Sequence, residues 1–341
     1  MPELTVNIDM VNSYQQILIL LPNFALFITL LLALLLDKYL GEAKRFHYLV
    51  GFGWLAKKLE MRLNPVNKQS NKSTLAAKLR GTLAWSLLVL PLPLIYFYHL
   101  NYLSWYWQIL LDAIVLYLAI GLTSLKQHAM QVYHPLLKGD LTTARYFTGY
   151  LVSRDTDKLS AQEMSRATIE SMLENGHDSV IASLFYYIIG GAPLVIIHRL
   201  ANTLDAMWGY KSSHFIHFGY ASARLDDLLG FVSGKCCTLL YAIQGVRQGH
   251  CLNAIRNAYW QGNQYKSHNG GWVMAAGATV MNRALGGRAF YHGKMLNSLT
   301  LGCGSAVTSK DIPKSLTVVK RACIILVTIV FVFQLTLYLT Y

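Results

Sequence analysis

The 341-residue sequence has little charge, since only 14% of its residues are Asp, Glu, Lys or Arg, whereas 54% are hydrophobic. A soluble globular domain carries about 25% charged residues, so this surface is too poor in charge to face water on all sides. The net charge of +13 does not indicate nucleic acid binding, because the basic residues flank apolar runs, as cytoplasmic loops of membrane proteins do. The composition therefore predicts an all-α, polytopic integral membrane protein.

The sequence also lacks the patterns of several common sites. Its five cysteines include no CxxC pair, so neither a disulfide framework nor a structural zinc site follows. No GxxxxGK[ST] string is present, and the eleven histidines form no HxH or HExxH pattern. The first apolar run follows an acidic start and is long enough to span a membrane, so we expect no cleavable signal peptide.

Four apolar runs are long enough for transmembrane helices, namely 11–36, 81–99, 105–125 and 322–339. Segment 37–80, between the first two, is rich in Lys and Arg and is therefore expected in the cytoplasm. The predicted organisation has three parts. They are three transmembrane helices with the basic loop in 1–125, a cytoplasm-facing catalytic region in 126–317, and a C-terminal transmembrane helix in 318–341.

A fifth apolar run, 179–197, is interrupted by the string Gly190-Gly191-Ala192-Pro193. If this run crossed the membrane alone, the final helix would point the wrong way. Only 228–244 could restore the parity, and that stretch is weakly apolar and carries Lys235. We therefore favour a re-entrant or protein-buried hairpin, bent at the glycine pair, and keep a pair of true spans as the alternative.

One amphipathic helix is predicted to begin at Ser160, where Ser160 and Glu163 form a capping-box pattern, and to run to about Asn175. On it, Arg166, Glu170 and Glu174 recur at helical spacing and share one face. A solvated ladder of salt bridges is the alternative interpretation of that face. Helices of this kind complete the predicted fold as cytoplasmic amphipathic elements.

More than half of the 17 acidic residues lie between 154 and 227. Carboxylates and amides at this density beside apolar segments are costly unless they bind something. Oxygen ligands of this kind suit Mg²⁺, and arginines among them would hold phosphate oxygens. A purely structural polar network is the alternative, and composition alone does not decide between the two.

Several strings in this region match, in order, the motifs of one family. They are Arg154–Thr156, Ala167–Asp178, Gly190–Pro193, Asn202–Tyr210, Phe218–Asp227, Ser267 with Asn269, Gly271 and Trp272, Leu285–Gly287 with Tyr291, and, near the start, Asp37, Gly41 and His47. In this order the strings resemble the adenosylcobinamide-phosphate synthase family of cobalamin-biosynthesis membrane proteins, over about residues 30–295. The departures, mostly at turn-forming prolines of the family, are Glu42-Ala43, Tyr48, Gly230-Phe231 and His268.

The resemblance implies an ATP-dependent amide ligase in the bacterial cytoplasmic (inner) membrane, with its active region facing the cytoplasm. Its substrates would be the corrinoid adenosylcobyric acid, ATP as co-substrate, and (R)-1-amino-2-propanol phosphate or ethanolamine phosphate. Mg²⁺ would be the cofactor. Membrane lipid and other cobalamin-assembly membrane enzymes would be its partners. The alternative is a non-enzymatic membrane sensor or transport-like protein on the same scaffold.

The matched positions supply the predicted site, within which the individual roles are our hypothesis. The predicted catalytic residues are Arg154, Asp155, Glu170, Glu174 and Asp178. The predicted substrate- or phosphate-binding residues are Asn175, Asn202, Tyr210, Arg224 and Asn269. The predicted Mg²⁺ ligands are Asp205, Asp226 and Asp227. Glu170 or Glu174 would act as the base, and Arg154 and Arg224 would hold phosphate.

Overall fold

The structure, a computed structural model, describes residues 20–42, 48–64, 74–152, 154–291 and 294–341. Its helices are α1 Ala25–Leu40, α2 Tyr48–Leu63, α3 Thr74–Val89, α4 Pro91–Leu100, α5 Trp105–Ala119, α6 Leu122–Lys138, α7 Leu141–Gly149, α8 Ala161–Gly176, α9 Ala182–Trp208, α10 Tyr220–Ala242, α11 Cys251–Gly262, α12 His268–Val280 and α13 Ile312–Thr340. Its strands are β1 Arg283–Tyr291, β2 Lys294–Gly302 and β3 Ser305–Ala306. The beginning of the first predicted span and the motif residue His47 lie outside the described residues.

Six helical segments within the described residues are long and apolar enough to cross a membrane. They are Leu21–Leu40, Thr74–Leu100, Trp105–Lys138, Ala161–Trp208, Tyr220–Gln248 and Ser309–Thr340. Large apolar side chains on these segments, such as Leu94, Phe97 and Phe333, are exposed in the isolated chain, as surfaces that face lipid are. The predicted all-α, polytopic membrane fold is confirmed.

The third predicted span does not continue to residue 125 as one helix. Helix α5 ends at Ala119 because Ile120 adopts an extended backbone conformation, and α6 begins at Leu122. The backbone N–H of Gly121 donates to the carbonyl oxygen of Ser179 at 3.2 Å instead of continuing the helix. This contact joins the break to the turn after α8. The predicted run 105–125 lies within the candidate span Trp105–Lys138, which is divided into α5 and α6 at this break.

Helix α9 folds back on itself at the predicted bend. Gly190 and Gly191 have non-helical backbone angles, and Gly191 has a φ of 64°, which glycine adopts without a steric cost. In a straight helix Tyr186 and His198 would lie about 18 Å apart along the axis. Their ring centroids are 5.1 Å apart, stacked at an interplanar angle of 26°. The two arms of α9 therefore pack against each other as a helical hairpin.

Helix α8 lies at the centre of the molecule, as its burial shows. It begins with the predicted capping box, in which the Ser160 hydroxyl accepts from the Glu163 N–H and the Glu163 carboxylate accepts from the Ser160 N–H. The side chains of Ile169, Met172 and Leu173 are fully buried. Helices α6, α7, α12 and α13 and strand β1 all contact α8. These neighbouring elements surround α8 and fix the position of its polar face.

A small sheet beside α8 was absent from the sequence-based prediction. Strands β1 and β2 form an antiparallel hairpin, β3 pairs with β1 in parallel, and the strand order is β2-β1-β3. The register shifts between Leu285 and Gly287, where Gly286 and Gly287 have φ values of 76° and 84°. This bulge turns the Gly286 N–H away from the strand ladder and toward α8.

A buried carboxylate, Asp112, lies within the apolar helix α5. Tyr96 of α4 donates its hydroxyl to Oδ1 of Asp112 at 2.6 Å, and Tyr187 of α9 donates to Oδ2 at 2.9 Å. An ionisable group in such a position is costly unless it has partners, and the two hydroxyls supply them. Asp112 thus joins three helices by hydrogen bonds, a role that the sequence analysis did not find.

We predict that the G81A substitution destabilises the protein. A Cβ atom at Gly81 of α3 would overlap the carbonyl oxygen of Phe218, so the backbone would have to shift. Overpacking of this kind costs about 1–3 kcal/mol. Thermal unfolding in detergent should show a lower midpoint for G81A. The matched control is G51A in α2, where a Cβ atom would meet nothing within 4 Å and the midpoint should not fall. Equal midpoints for the two variants would contradict the close contact.

Candidate functional site

The pair of Arg154 and Glu170 anchors the polar face of α8. Nη2 of Arg154 lies 2.6 Å from Oε2 of Glu170, and both side chains are only 8% exposed. The other carboxylate oxygen, Oε1, accepts a hydrogen bond of 2.8 Å from the Gly286 N–H of the sheet. The carboxylate of Glu170 is thus occupied on both sides, and it joins the loop before α8 to the β hairpin.

Glu174 lies one helical turn further along the same face. Among the described residues, none forms a salt bridge or a side-chain hydrogen bond with its carboxylate. Its Oε1 atom lies against the backbone of Gly270 in α12, where a Cβ atom would clash with it. The positive charges of Lys266 and Arg154 act on this carboxylate, and the negative charge of Asp178 opposes them. Glu174 is therefore held in place by packing while its oxygens stay available.

Three cavities follow one another along α8. The first, of about 350 Å³, is lined by Arg154, Arg166, Glu170, Lys266 and the glycines of the β1 bulge. The second, of about 160 Å³, shares Arg154, Glu170 and Lys266 with the first and adds Ser171, Glu174 and Asn175. The third, of about 510 Å³, shares Ser171 and Asn175 with the second and extends to Ser179 and Arg199. We call this series of cavities the α8 groove.

A second group of acidic side chains adjoins the groove and is called here the carboxylate cluster. It consists of Asp178, Asp205, Asp226 and Asp227. Asp226 feels the negative charges of the other three, and Asp205 feels those of Asp178 and Asp227. None of the described residues forms a salt bridge with Asp205, Asp226 or Asp227. The mutual repulsion of these carboxylates is therefore not offset by a salt bridge to Asp205, Asp226 or Asp227 from the described part of the chain.

The backbone explains how residues distant in sequence meet in the carboxylate cluster. Asp178 lies just before the beginning of α9, and Asp205 lies near its end. Because α9 folds back on itself, the two aspartates come close together. A π-helical turn from His177 to Ile181 carries Asp178, and such turns occur frequently at functional sites. Helix α10 packs against both arms and brings Asp226 and Asp227. The predicted metal-binding residues are thereby brought together.

The carboxylate cluster does not form a complete metal site from the described side chains alone. In the described part of the chain, no group of three or more His, Cys, Asp or Glu side chains is arranged to hold a metal ion. Mg²⁺ commonly takes one or two carboxylates and fills its other positions with water and phosphate oxygens. Among the described residues, Asp226 accepts one hydrogen bond, a 3.4 Å contact from Nδ2 of Asn202, so most of its lone pairs are left without a described partner.

The predicted asparagines also lie at this site. Asn202 contacts Asp226, as described above. Nδ2 of Asn269 donates to the carbonyl oxygen of Asp227 at 2.9 Å, which joins α12 to α10. Nδ2 of Asn175 donates to the carbonyl and hydroxyl oxygens of Ser171, and Asn175 lines the second and third cavities. All three predicted asparagines therefore border the groove or the cluster.

Three predicted residues lie on the exterior of the site. Arg224 is exposed and its guanidinium lies 5.6 Å from the centroid of the Tyr220 ring. Tyr210 follows the end of α9, is 60% exposed, and makes no hydrogen bond or ring contact within the described residues. Asp155 is exposed in the loop before α8. Their predicted roles remain predictions.

Three further residues belong to this region although they were not predicted to. Lys266 lines two of the cavities, and Arg199 of α9 lines the third and acts electrostatically on Asp178. Nδ1 of His177 lies 2.7 Å from Oδ1 of Asp178, while its Nε2 lies 2.9 Å from the Ser233 hydroxyl. Lys266 directly precedes the Ser267–Asn269 motif, and this position in the sequence could have identified it. Arg199 and His177 could not have been identified from the sequence, because their place in the site depends on tertiary contacts.

Comparison with known proteins gives consistent matches. The family model described as CobD/Cbib protein matches residues 30–319. A protein named "Cobalamin biosynthesis protein CobD" from Chromobacterium violaceum is 43% identical over 309 residues, which cover 88% of this chain and 93% of that protein. A protein of the same name from Stutzerimonas stutzeri is 42% identical over 301 residues, or 86% and 93% of the two chains. One from Halalkalibacterium halodurans is 34% identical over 313 residues, or 90% and 96%. No solved structure matches.

We predict that the R154M substitution destabilises the protein more than R154M combined with E170Q. Methionine in place of the arginine leaves the buried Glu170 carboxylate without its cation, which costs about 3–5 kcal/mol. Glutamine at 170 removes the charge and still accepts from the Gly286 N–H, so the double variant should recover part of this loss. Thermal unfolding in detergent of both single variants and the double variant measures the coupling. Strictly additive effects would show that the pair does not act as a unit.

Proposed function

Because the chain belongs to the CobD/CbiB family of cobalamin-biosynthesis proteins, we propose that it is an ATP-dependent amide ligase of corrinoid assembly. In this proposal it joins a propionate carboxylate of adenosylcobyric acid to the amine of (R)-1-amino-2-propanol phosphate or ethanolamine phosphate. The observation that supports the proposal best is the α8 groove, which is lined by basic side chains and by the Glu174 carboxylate, with which no described residue forms a salt bridge. The carboxylate cluster lies on neighbouring elements, and its member Asp178 acts electrostatically on Glu174.

The proposed chemistry takes place in two steps, because a carboxylate and an amine do not condense unaided in water. In the first step a substrate carboxylate oxygen attacks the γ-phosphorus of ATP, ADP leaves, and an acyl phosphate forms. In the second step the amine nitrogen attacks the acyl carbon, the phosphate leaves, and a proton passes from the nitrogen to a base. Catalysis of such phosphoryl and acyl transfers depends mainly on positioning and on charge stabilisation.

Basic residues of the groove are proposed to hold the phosphate-bearing substrates. Arg154, Arg166 and Lys266 line the first cavity together. The Nε atom of Arg166 is buried and has no hydrogen-bond partner in the described part of the chain. A buried donor of this kind normally has a partner, and a phosphate oxygen would supply one. Arg166 is thus a stronger candidate for a phosphate ligand than the exposed Arg224.

The carboxylate cluster is proposed to hold Mg²⁺ through Asp226, with Asp205 and Asp227 beside it. When bound, Mg²⁺ supplies charge neutralisation for the phosphates of ATP. The proximity of these carboxylates supports this assignment, since a bound cation would relieve their mutual repulsion. Asn202 would keep the Asp226 carboxylate oriented through its amide hydrogen bond.

Glu174 is proposed as the base that accepts the proton from the amine. Of the two carboxylates considered for this role, Glu170 is engaged by Arg154 and by the Gly286 N–H. Glu174 has no such engagement with a described residue and lines the second cavity of the groove together with Arg154 and Lys266. A base must come within hydrogen-bond reach of the proton that it removes, and a free carboxylate in the groove meets this condition.

The membrane setting agrees with the proposed substrates. Corrinoid carboxylates, ATP and an amino-alcohol phosphate are all anionic, and the chain has a net charge of +13. The corrinoid is large and amphipathic, so its ring would rest on the apolar α9 hairpin while its side chain reaches the groove. We propose that the protein resides in the bacterial cytoplasmic membrane with the groove open to the cytoplasm, where other membrane enzymes of the same assembly are its expected neighbours.

We predict product formation by the detergent-purified full-length protein with adenosylcobyric acid, amino-propanol phosphate, ATP and Mg²⁺. Mass spectrometry should detect a corrinoid with the mass of the amide, absent when ATP is omitted. D226N should lower the rate by at least about 100-fold, as expected for removal of a group that stabilises transferred charge. The control D157N changes an exposed aspartate outside the groove and should retain activity.

The outcomes distinguish the proposal from its alternative. No product with either amino-alcohol phosphate, from protein that unfolds cooperatively, would contradict the ligase and favour a sensor or transport-like protein. Product formation that D226N leaves intact would remove the carboxylate cluster from the mechanism while keeping the reaction.

We predict that the C-terminus lies outside the cytoplasm. Alkaline phosphatase, which is active only outside, should be active when fused after Tyr341 and inactive when fused after Lys158. Fluorescent-protein fusions at the same positions should give the opposite pattern. The expectation follows because basic residues mark the cytoplasmic side, and they lie near the beginning of α13 and in the loop before α3. The reverse pattern would place the groove on the other side of the membrane.

A further inference from the structure

An apolar crevice separate from the α8 groove lies between α1, α6 and α13. Its volume is about 520 Å³, and none of its lining residues lines any of the three groove cavities. Its walls are largely aliphatic, with Leu34, Leu122 and Leu316 among them. Leu35 and Ile324 at its edge are 38% and 53% exposed in the isolated chain. The crevice therefore opens toward the surroundings of the helices rather than into the proposed active site.

Three lysines from three different helices line this apolar crevice. Lys38 lies in the last turn of α1, Lys126 near the beginning of α6, and Lys320 in α13. All three are exposed, and none forms a salt bridge with a described residue. Lys38 and Lys126 follow apolar runs, and Lys320 precedes one. The three lysines therefore lie at the same end of the apolar helices that form the crevice. Their aliphatic stems can lie along apolar surface while their charged ends stay at its margin.

The acidic residue of the crevice does not neutralise these lysines. Asp37 is 3% exposed, and its Oδ2 accepts from the N–H of Thr123 at 2.9 Å and from its hydroxyl at 2.8 Å. Its carboxylate is thus turned toward the first turn of α6, where it joins α1 to α6. The crevice keeps an excess of positive charge above an apolar floor.

We propose that this crevice binds an anionic glycerophospholipid. The phosphate of the head group would lie among Lys38, Lys126 and Lys320, and one acyl chain would lie along the leucine walls. The apolar walls give a free phosphate or a nucleotide little to bind, and the three lysines favour an anionic over a zwitterionic head group. Basic pockets between transmembrane helices recognise anionic lipids in this way. The proposal holds whether or not the ligase proposal is correct.

Native mass spectrometry of the delipidated full-length protein tests the proposal. The protein is titrated with phosphatidylglycerol or phosphatidylcholine of the same acyl chains. Phosphatidylglycerol should bind about 10-fold more tightly, and K38Q/K126Q/K320Q should abolish that preference. The matched control K57Q/K138Q/K158Q removes the same charge from exposed lysines outside the crevice and should retain the preference. T317W, which fills the crevice without changing its charge, should lower phosphatidylglycerol occupancy.

Three results would overturn the proposal. The first is equal binding of the two lipids to the unmodified protein. The second is a preference that survives in K38Q/K126Q/K320Q as it does in the control. The third is displacement of phosphatidylglycerol by inorganic phosphate at comparable concentration, which would reduce the site to a head-group contact without a lipid. If the triple lysine variant does not fold, T317W provides the test by itself, and full phosphatidylglycerol occupancy in T317W then contradicts the proposal.

Discussion

A carboxylate among apolar helices is stable only with partners, and this requirement organises the molecule. Asp37 is held by Thr123, Asp112 by two tyrosine hydroxyls, and Glu170 by Arg154. Asp311 before α13 pairs with both Arg283 and Lys314. Asp37 and Asp112 in this way join elements that are far apart in sequence. Glu174, Asp205 and Asp227 depart from this pattern, since no residue in the described part of the chain forms a salt bridge or a side-chain hydrogen bond with their carboxylates, and this contrast separates the candidate site from the scaffold.

Local patterns in the sequence predicted the elements on which the site is built. The capping box at Ser160 and the bend at Gly190–Gly191 follow from short strings whose backbone consequences are the same in any protein. The motif strings identified the carboxylates as one set. Of these, Glu170 and Glu174 line the α8 groove, and four aspartates form the separate carboxylate cluster. What periodicity could not show is which carboxylates have partners, because that depends on residues distant in the chain.

The differences between sequence-based prediction and structure have tertiary causes. Helix α5 ends at Ala119 because a backbone contact with Ser179 replaces helical hydrogen bonds, and no local signal marks that residue. The β hairpin was missed because its stability depends on packing against α8, including the bond from Gly286 to Glu170. Asp112 was overlooked inside an apolar run, although a lone aspartate there was itself the signal.

The fold-back of α9 also affects the order in which the protein can be assembled. Asp178 and Asp205 come together through closure of a short local segment, whereas α1 meets α13 through the bond from the Phe27 N–H to Gln334, 307 residues away. The entropy of loop closure grows with the logarithm of loop length, which makes the longer closure costlier by about 2 kcal/mol. The pair of Asp178 and Asp205, half of the carboxylate cluster, therefore depends on a contact of low sequence separation. It can form early, while the chain is still being synthesised. The lysine-lined crevice, by contrast, needs α13 to meet α1 over this long separation, so it forms through the costlier closure.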